Sequence, residues 1–202
     1  VVKIDSRDRG KMKNVKSIID NACKEKKERD RKRGIINRPV RAMVAGIPNV
    51  GKSTFINSFA GKACAQTGNK PGVTKGKQWI RLNKDVELLD TPGILWPKFE
   101  DNTVGIRLAF IGSVNDQVIN MHELAGELVA YITRLYPGRL NERYKADESL
   151  QIADILRCIA TSRGCLKKGG EIDYDKAVSI LFDDFRSGKL GKVSLESPEE
   201  YL

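Results

Sequence analysis

The sequence has a single histidine and only four cysteines in 202 residues. Cys23, Cys64, Cys158 and Cys165 show no C-x-x-C spacing and no accompanying histidine cluster. That excludes a zinc site and leaves reduced, mostly structural thiols, as in a cytoplasmic protein, as the simplest account. His122, at the start of a predicted helix in the second half, is expected to be structural or at the surface rather than catalytic. No run approaches the roughly 20 apolar residues of a membrane span, and no signal peptide opens the chain. There is no internal repeat and no low-complexity tract. The first residue is Val1 rather than Met, so further residues are expected upstream.

Hydrophobic residues at 40% and charged residues at 31% are ordinary for a globular protein long enough to bury a core. The net charge of +10 and the pI near 9.5 are less ordinary. They point to a polyanionic partner, RNA ahead of an acidic membrane surface, with a merely basic cytoplasmic protein as the plain alternative.

What is present is organised around Gly46-Ile47-Pro48-Asn49-Val50-Gly51-Lys52-Ser53. A short apolar run, Val40 to Ala45, precedes it, and a helix-compatible segment starting near Lys52 follows. Strand, glycine loop and helix in this order make a phosphate-binding P-loop. The backbone N–H groups of Asn49 to Thr54 cradle phosphate, helped by the positive end of the helix. Lys52 reaches the β- and γ-phosphates and the Ser53 hydroxyl ligates Mg²⁺.

Upstream, Val15, Ile18, Ile19, Ala22 and Cys23 recur at helical spacing, which predicts one helix over residues 13–31. Its second half, Lys24 to Arg33, carries seven basic and three acidic side chains. A solvated helix laced with i,i+4 pairs is the plain reading, and RNA phosphate binding the second. The Val1 to Ile4 stretch is compatible with the end of a strand.

Downstream, residues 66–76 read as a long Gly/Pro/Thr loop, and Gln78–Leu82 with Val86–Leu89 as a hairpin. Its second strand runs into Asp90-Thr91-Pro92-Gly93. The Asp90 carboxylate suits Mg²⁺, and the Gly93 N–H suits a γ-phosphate. Thr74 is the expected second protein ligand of Mg²⁺, with Thr67 as its rival. Loss of the γ-phosphate would release both loops, which is a nucleotide switch. After Gly93 the pattern turns helical, around residues 104–111, 122–135, 150–161 and 174–186. Ala153, Leu156, Ile159, Ala160 and Ala177, Ile180, Leu181, Phe185 form the expected apolar stripes. Two domains follow: a P-loop domain over 1–105 and a helical domain over 106–202.

Guanine selectivity ordinarily comes from N-K-x-D, and no intact copy occurs. Asn69-Lys70-Pro71-Gly72 and Asn83-Lys84-Asp85-Val86 lack the final Asp, and Tyr144-Lys145-Ala146-Asp147 lacks the Asn. A GTPase that turns all-helical after D-x-x-G must hold its remaining parallel strands before the P-loop. The order therefore implies a circularly permuted GTPase whose base-reading motif lies upstream of Val1.

The P-loop run through Thr54, Pro71-Gly72-Val73-Thr74 and Leu89-Asp90-Thr91-Pro92-Gly93-Ile94-Leu95-Trp96-Pro97 closely resemble the YlqF-type permuted GTPases. Arg163-Gly164-Cys165-Leu166 and Asp173-Tyr174-Asp175-Lys176 extend the likeness into the helical part. The resemblance implies an α/β P-loop fold with a parallel-sheet core, incomplete at its N-terminus and followed by a small all-helical domain. It implies a monomeric cytoplasmic GTPase using GTP/GDP, Mg²⁺ and K⁺, with no membrane role, that assists assembly of the large ribosomal subunit. The helical domain would grip rRNA through groups such as Lys167, Lys168, Arg139, Arg143 and Lys145.

It further implies that Asp5-Ser6 matches a short base-contacting motif, with Asp5 departing from the commoner Asn. Asn49 matches the asparagine that helps coordinate K⁺ in K⁺-dependent GTPases. Ile94 stands where many GTPases carry a water-orienting Gln, so turnover is expected to be slow until the subunit and K⁺ complete the site. Lys52, Thr74 and Gly93 are the expected catalytic contacts. A GTPase of tRNA modification or stress signalling, a nucleotide-gated RNA-binding module without useful turnover, and an ATPase are the alternatives. Trp79 and Trp96 are expected to be packing anchors near the switch loops.

Overall fold

The computed structural model describes residues 2–36, 38–65, 76–82, 84–95 and 101–201. The chain forms two compact units, residues 1–97 and 98–202. Thr74, its rival Thr67, Trp96 and most of the loop expected over 66–76 lie outside the described residues.

The first unit is built on a three-stranded sheet of β1 (Val40–Val44), β2 (Gln78–Arg81) and β3 (Val86–Asp90), in the order β1-β3-β2. The β1–β3 pairing is parallel, as a P-loop core requires, while β2 pairs with β3 as an antiparallel hairpin strand. Alternation along β3 buries Val86, Leu88 and Asp90 on one face. There Val86 and Leu88 meet Ile80 of β2 and Ile56 of helix α3 (Lys52–Ala60), with Phe55 and Phe59 packed alongside. Met12 and Val15 are buried on α1 (Arg9–Ala22), which packs against α3.

The opposite sheet face carries Arg41, Met43, Trp79 and Arg81, all exposed. Trp79 is therefore no packing anchor. It is 53% exposed and covered by the Arg41 guanidinium, 4.9 Å from the ring centroid, while Arg41 also pairs with Glu87 at 3.1 Å.

The single helix expected over 13–31 is instead two, α1 and α2 (Lys24–Lys32). The chain leaves helical geometry at Cys23 (φ −104°, ψ 8°). The apolar stripe ends there, so no burial holds the following turns to the direction of α1. A Lys27–Asp20 ion pair of 2.6 Å spans the break. Residues 2–4 form no strand, and Val2 and Ile4 are exposed.

The second unit is helical: α4 (Asn102–Phe110), α5 (Met121–Leu135), α6 (Arg139–Tyr144), α7 (Ile152–Ser162) and α8 (Tyr174–Arg186). Asp101, Asn120 and Asp173 supply side-chain caps to α4, α5 and α8. The core joins Leu128 and Ile132 of α5 to Ile155 and Ile159 of α7 and Leu181 and Phe182 of α8. On α7 the buried stripe includes Ile155, while Ala153 is exposed. Helix α6 escapes the sequence pattern because it is six residues long with only Leu140 and Tyr144 to bury. The Glu148 carboxylate secures it by accepting the N–H groups of Gly138 (2.7 Å) and Asn141 (2.9 Å).

Arg143 is committed to the buried Asp184, whose Oδ2 accepts from Arg143 (2.9 Å) and the Tyr144 hydroxyl (3.1 Å). Lys189 lies 3.2 Å and Arg163 3.6 Å from the same carboxylate. Arg143 thus carries a fold-holding role in place of a freely presented one. Lys167 and Lys168 stand exposed on the tight turn closed by the Leu166–Ile172 bridge. His122 is a surface residue paired with Asp175 at 2.8 Å. All four cysteines are free thiols, and Cys165 is buried.

Candidate functional site

Val44 pairs with Asp90 in the parallel register, so β1 and β3 end side by side and release their loops at one end of the sheet. In an open α/β sheet this is where ligands bind, beyond the carboxyl ends of the strands. The Thr91 hydroxyl donates to the Val44 carbonyl at 2.8 Å and ties the two exits together. Sequence reasoning gave Thr91 no role, because nothing in its neighbours signals a bond across 47 residues of chain.

The loop from Ala45 to Gly51 leads into α3. Gly51 takes the left-handed conformation (φ +91°) and caps α3 without any side-chain hydrogen bond. No side chain caps the helix at that point, and the helix dipole favours an anion there. Asn49 is also left-handed, at φ +59°, a conformation that asparagine tolerates better than most residues. Val50 is exposed, while Ser53 and Thr54 are half-buried at the start of the helix.

The Lys52 ammonium donates to the Ile47 carbonyl at 2.8 Å and so folds over its own loop. Burial lowers its pKa, an effect opposed by the negative charge of Asp90. Phosphate oxygens would offer this ammonium stronger, charge-assisted partners than one carbonyl.

Asp90 is fully buried, and neither carboxylate oxygen has a hydrogen-bond partner among the described residues. A buried charge without partners is costly unless a cation completes it. Mg²⁺ fits this donor set, since it takes one or two carboxylates together with waters and substrate phosphates in preference to an all-protein cage. Accordingly, no cluster of three or more His, Cys, Asp or Glu suited to a metal occurs among the described residues.

Gly93 touches the P-loop directly. A Cβ built on it would lie 2.5 Å from Pro48 Cα and 2.6 Å from Pro48 N. Only glycine lets the two loops approach this closely. Ile94, next in the chain, is 70% exposed. Asp5 and Ser6 lie in the turn before α1, where the Asp5 carboxylate accepts the Arg7 N–H at 2.9 Å. The structure therefore brings the Asn49–Thr54 loop, Asp90 and Gly93 into one site.

A family model described as 50S ribosome-binding GTPase matches residues 41–157, more than half the chain. The chain belongs to this family. It is 47% identical over 191 residues to the ribosome biogenesis GTPase A of Bacillus cereus, covering 94% of this chain and 64% of that protein. It is 37% identical over 169 residues to the Thermotoga maritima protein of the same name, covering 81% and 59%. Among solved structures, GNP-bound YlqF from T. maritima aligns with a TM-score of 0.56 at 30% identity, over 83% of this chain and 64% of that one. A GDP-bound YlqF aligns with a TM-score of 0.57 at the same identity, over 83% and 65%. The 50S ribosome-binding GTPase assignment and the YlqF likeness carry the permuted P-loop fold with its helical C-terminal part. The chain spans less than two thirds of the length of these relatives.

Proposed function

We propose that this chain is the phosphate-binding and helical part of a GTPase that acts in assembly of the large ribosomal subunit. The observation that carries the reading is the fully buried Asp90 carboxylate, without a hydrogen-bond partner among the described residues. It is near enough to Lys52 to act on its charge and stands three residues before the Gly93 that meets Pro48. Solved relatives described as GDP-bound and GNP-bound, and relatives named ribosome biogenesis GTPase A, support the nucleotide and the process.

In this reading the N–H groups of residues 49–54 hold the β-phosphate and Lys52 exchanges its Ile47 carbonyl for the β- and γ-phosphates. Ser53, Asp90 and Thr74 would hold Mg²⁺ when it is bound, and Asn49 would contribute to a K⁺ site. Bound Mg²⁺ supplies charge neutralisation on the phosphoryl oxygens. The Gly93 N–H reads the γ-phosphate, so its loop is held in the triphosphate state and released after hydrolysis. Asp5-Ser6 lies on the base side. Ile94 cannot accept or donate a hydrogen bond through its side chain, so it cannot orient the attacking water. Turnover is therefore slow until the ribosomal subunit supplies that function. The helical unit adds rRNA contacts through Lys167 and Lys168. A monomer acting in the cytoplasm suits this cycle, and no helix among the described residues is long and apolar enough to cross a membrane.

The test is titration with fluorescent GDP and ADP in potassium buffer with Mg²⁺, followed by phosphate release from GTP with and without large subunits. Preference for GDP and acceleration by subunits support the reading. Equal binding of GDP and ADP would remove guanine selectivity from this chain. An unchanged slow rate with subunits would favour a nucleotide-gated binding module.

A further inference from the structure

The positive charge of this protein is not where the helical fold would suggest. Residues 1–97 carry 22 Lys and Arg against 9 Asp and Glu, while residues 98–202 carry 14 against 17. Residues 1–41 alone hold 15 basic and 6 acidic side chains. The basic excess belongs to the nucleotide-binding unit, and within it to the segment ahead of the P-loop.

The centre of that segment is α2, which has no buried residue. A helix that is polar all round must draw support from salt pairs or from something outside the fold. Lys24–Glu28, Glu25–Arg29, Lys26–Asp30 and Glu28–Lys32 have the spacing for i,i+4 pairs. Yet among the described residues the ion pair recorded for α2 is Lys27 with Asp20 of α1, and Lys24, Lys26, Arg29, Arg31, Lys32 and Arg33 have none. The helix is not laced together by its own charges.

At about 100° per residue, Lys26, Arg29 and Arg33 fall within a sector of roughly 60°, and the nearest acidic positions lie outside it. The three cations span about 10 Å of helix at 1.5 Å per residue. Like charges at i,i+3 and i,i+4 destabilise a helix unless a counter-charge covers them. All three are exposed.

We propose that α2 and its C-cap residue, through Lys26, Arg29 and Arg33, are a binding surface for the RNA phosphate backbone, separate from the nucleotide pocket. A membrane surface is the weaker partner, because α2 has no apolar face to insert. The exposed Ile35 and Ile36 that follow lie beyond the helix and are only two residues. Because the contact is to phosphates, it is insensitive to sequence and strongly dependent on salt.

The experiment uses the full 202-residue chain and a fluorescein-labelled RNA duplex, with affinity measured across a salt series. K26Q/R29Q/R33Q is expected to flatten the plot of log Kd against log salt by roughly two to three, about one per lost phosphate contact. Helicity and fluorescent GDP binding should be unchanged, because α2 contributes nothing to the core. K167Q/K168Q in the helical unit removes separate contacts, so its effect on the slope should be smaller and should add to that of the triple variant. An unchanged slope in the triple variant, or a loss confined to K167Q/K168Q, overturns the proposal. So does binding to vesicles of mixed phosphatidylserine and phosphatidylcholine that competes fully with the duplex and is lost in the triple variant. Free duplex is the probe, so failure of subunit-stimulated hydrolysis leaves this result standing on its own.

Discussion

Gly93 and Pro48 are in contact so close that no side chain could stand between them: a Cβ added to Gly93 would fall 2.5 Å from Pro48 Cα. Two loops separated by more than forty residues in sequence therefore behave as one wall. A ligand that moves the D-x-x-G loop must be sensed by the P-loop, and the reverse, because neither backbone can yield to the other.

Gly93→Ala tests that contact. The added methyl must push the loop off Pro48, and overpacking of this kind costs about 1–3 kcal/mol. The expected result is a lower unfolding temperature together with a loss of at least tenfold in affinity for a non-hydrolysable GTP analogue. GDP binding should fall less, because the Gly93 N–H is assigned to the γ-phosphate. Equal losses for both nucleotides would mean that the contact serves the P-loop itself.

Asp90→Asn separates function from stability. The wild-type carboxylate is buried with no hydrogen-bond partner among the described residues, so without nucleotide its desolvation is opposed by the charge of Lys52 but by no hydrogen bond there. Replacing it with a neutral amide of the same size is expected to raise the stability of the nucleotide-free chain by about 1 kcal/mol or more. The same variant should lose the additional thermal shift that Mg²⁺ gives in the presence of GTP. A destabilised free protein would show that Asp90 has a structural partner instead.

Much of the geometry of this candidate site was legible in the sequence because a P-loop restricts the backbone. Gly51 at φ +91° and Gly93 under Pro48 are positions that only glycine fits, and they stand at motif spacings. The hairpin was legible because alternation and a polar tip fix its register. The break at Cys23 was not, since no Pro or Gly marks it and the end of an apolar stripe is a weak signal. The exposure of Trp79 was also hidden. Its side of the sheet depends on which face α3 covers, a tertiary fact that a four-residue strand does not encode. Arg143 looked like a free cation because its partner, Asp184, lies 41 residues away.

Lys52→Met tests the electrostatics of the P-loop. Burial lowers the Lys52 pKa, with Asp90 opposing. In the window between that lowered value and the ordinary lysine value of about 10.4, the unfolded chain binds more protons than the folded one. Stability therefore rises with pH across this window. Relative to Lys52→Met, the wild-type chain is expected to gain stability from neutral pH toward pH 10 in urea titrations without nucleotide. A difference independent of pH would place the Lys52 ammonium outside the low-dielectric environment that its contact with the Ile47 carbonyl implies.

Asp184→Asn tests what holds the helical unit together. Burial alone would raise the Asp184 pKa, but hydrogen bonds from Arg143, Lys189 and Tyr144 outweigh it and the net shift is downward. The same pairing, with burial as the larger cause, raises the Tyr144 pKa. A carboxylate with a depressed folded pKa contributes stability that is fully present above its unfolded value, near 3.9, and is lost as pH falls through the folded one. Asp184→Asn leaves Arg143, Arg163 and Lys189 facing a neutral group, and breaking a buried pair of this kind costs about 3 kcal/mol. The expected result at pH 7 is an earlier loss of helical circular dichroism in urea. The gap between variant and wild type should close as both are taken below pH 4, because the wild type then gives up the same interaction. A gap that persists to low pH would mean that the carboxylate matters by its shape and hydrogen bonds, with its charge contributing little.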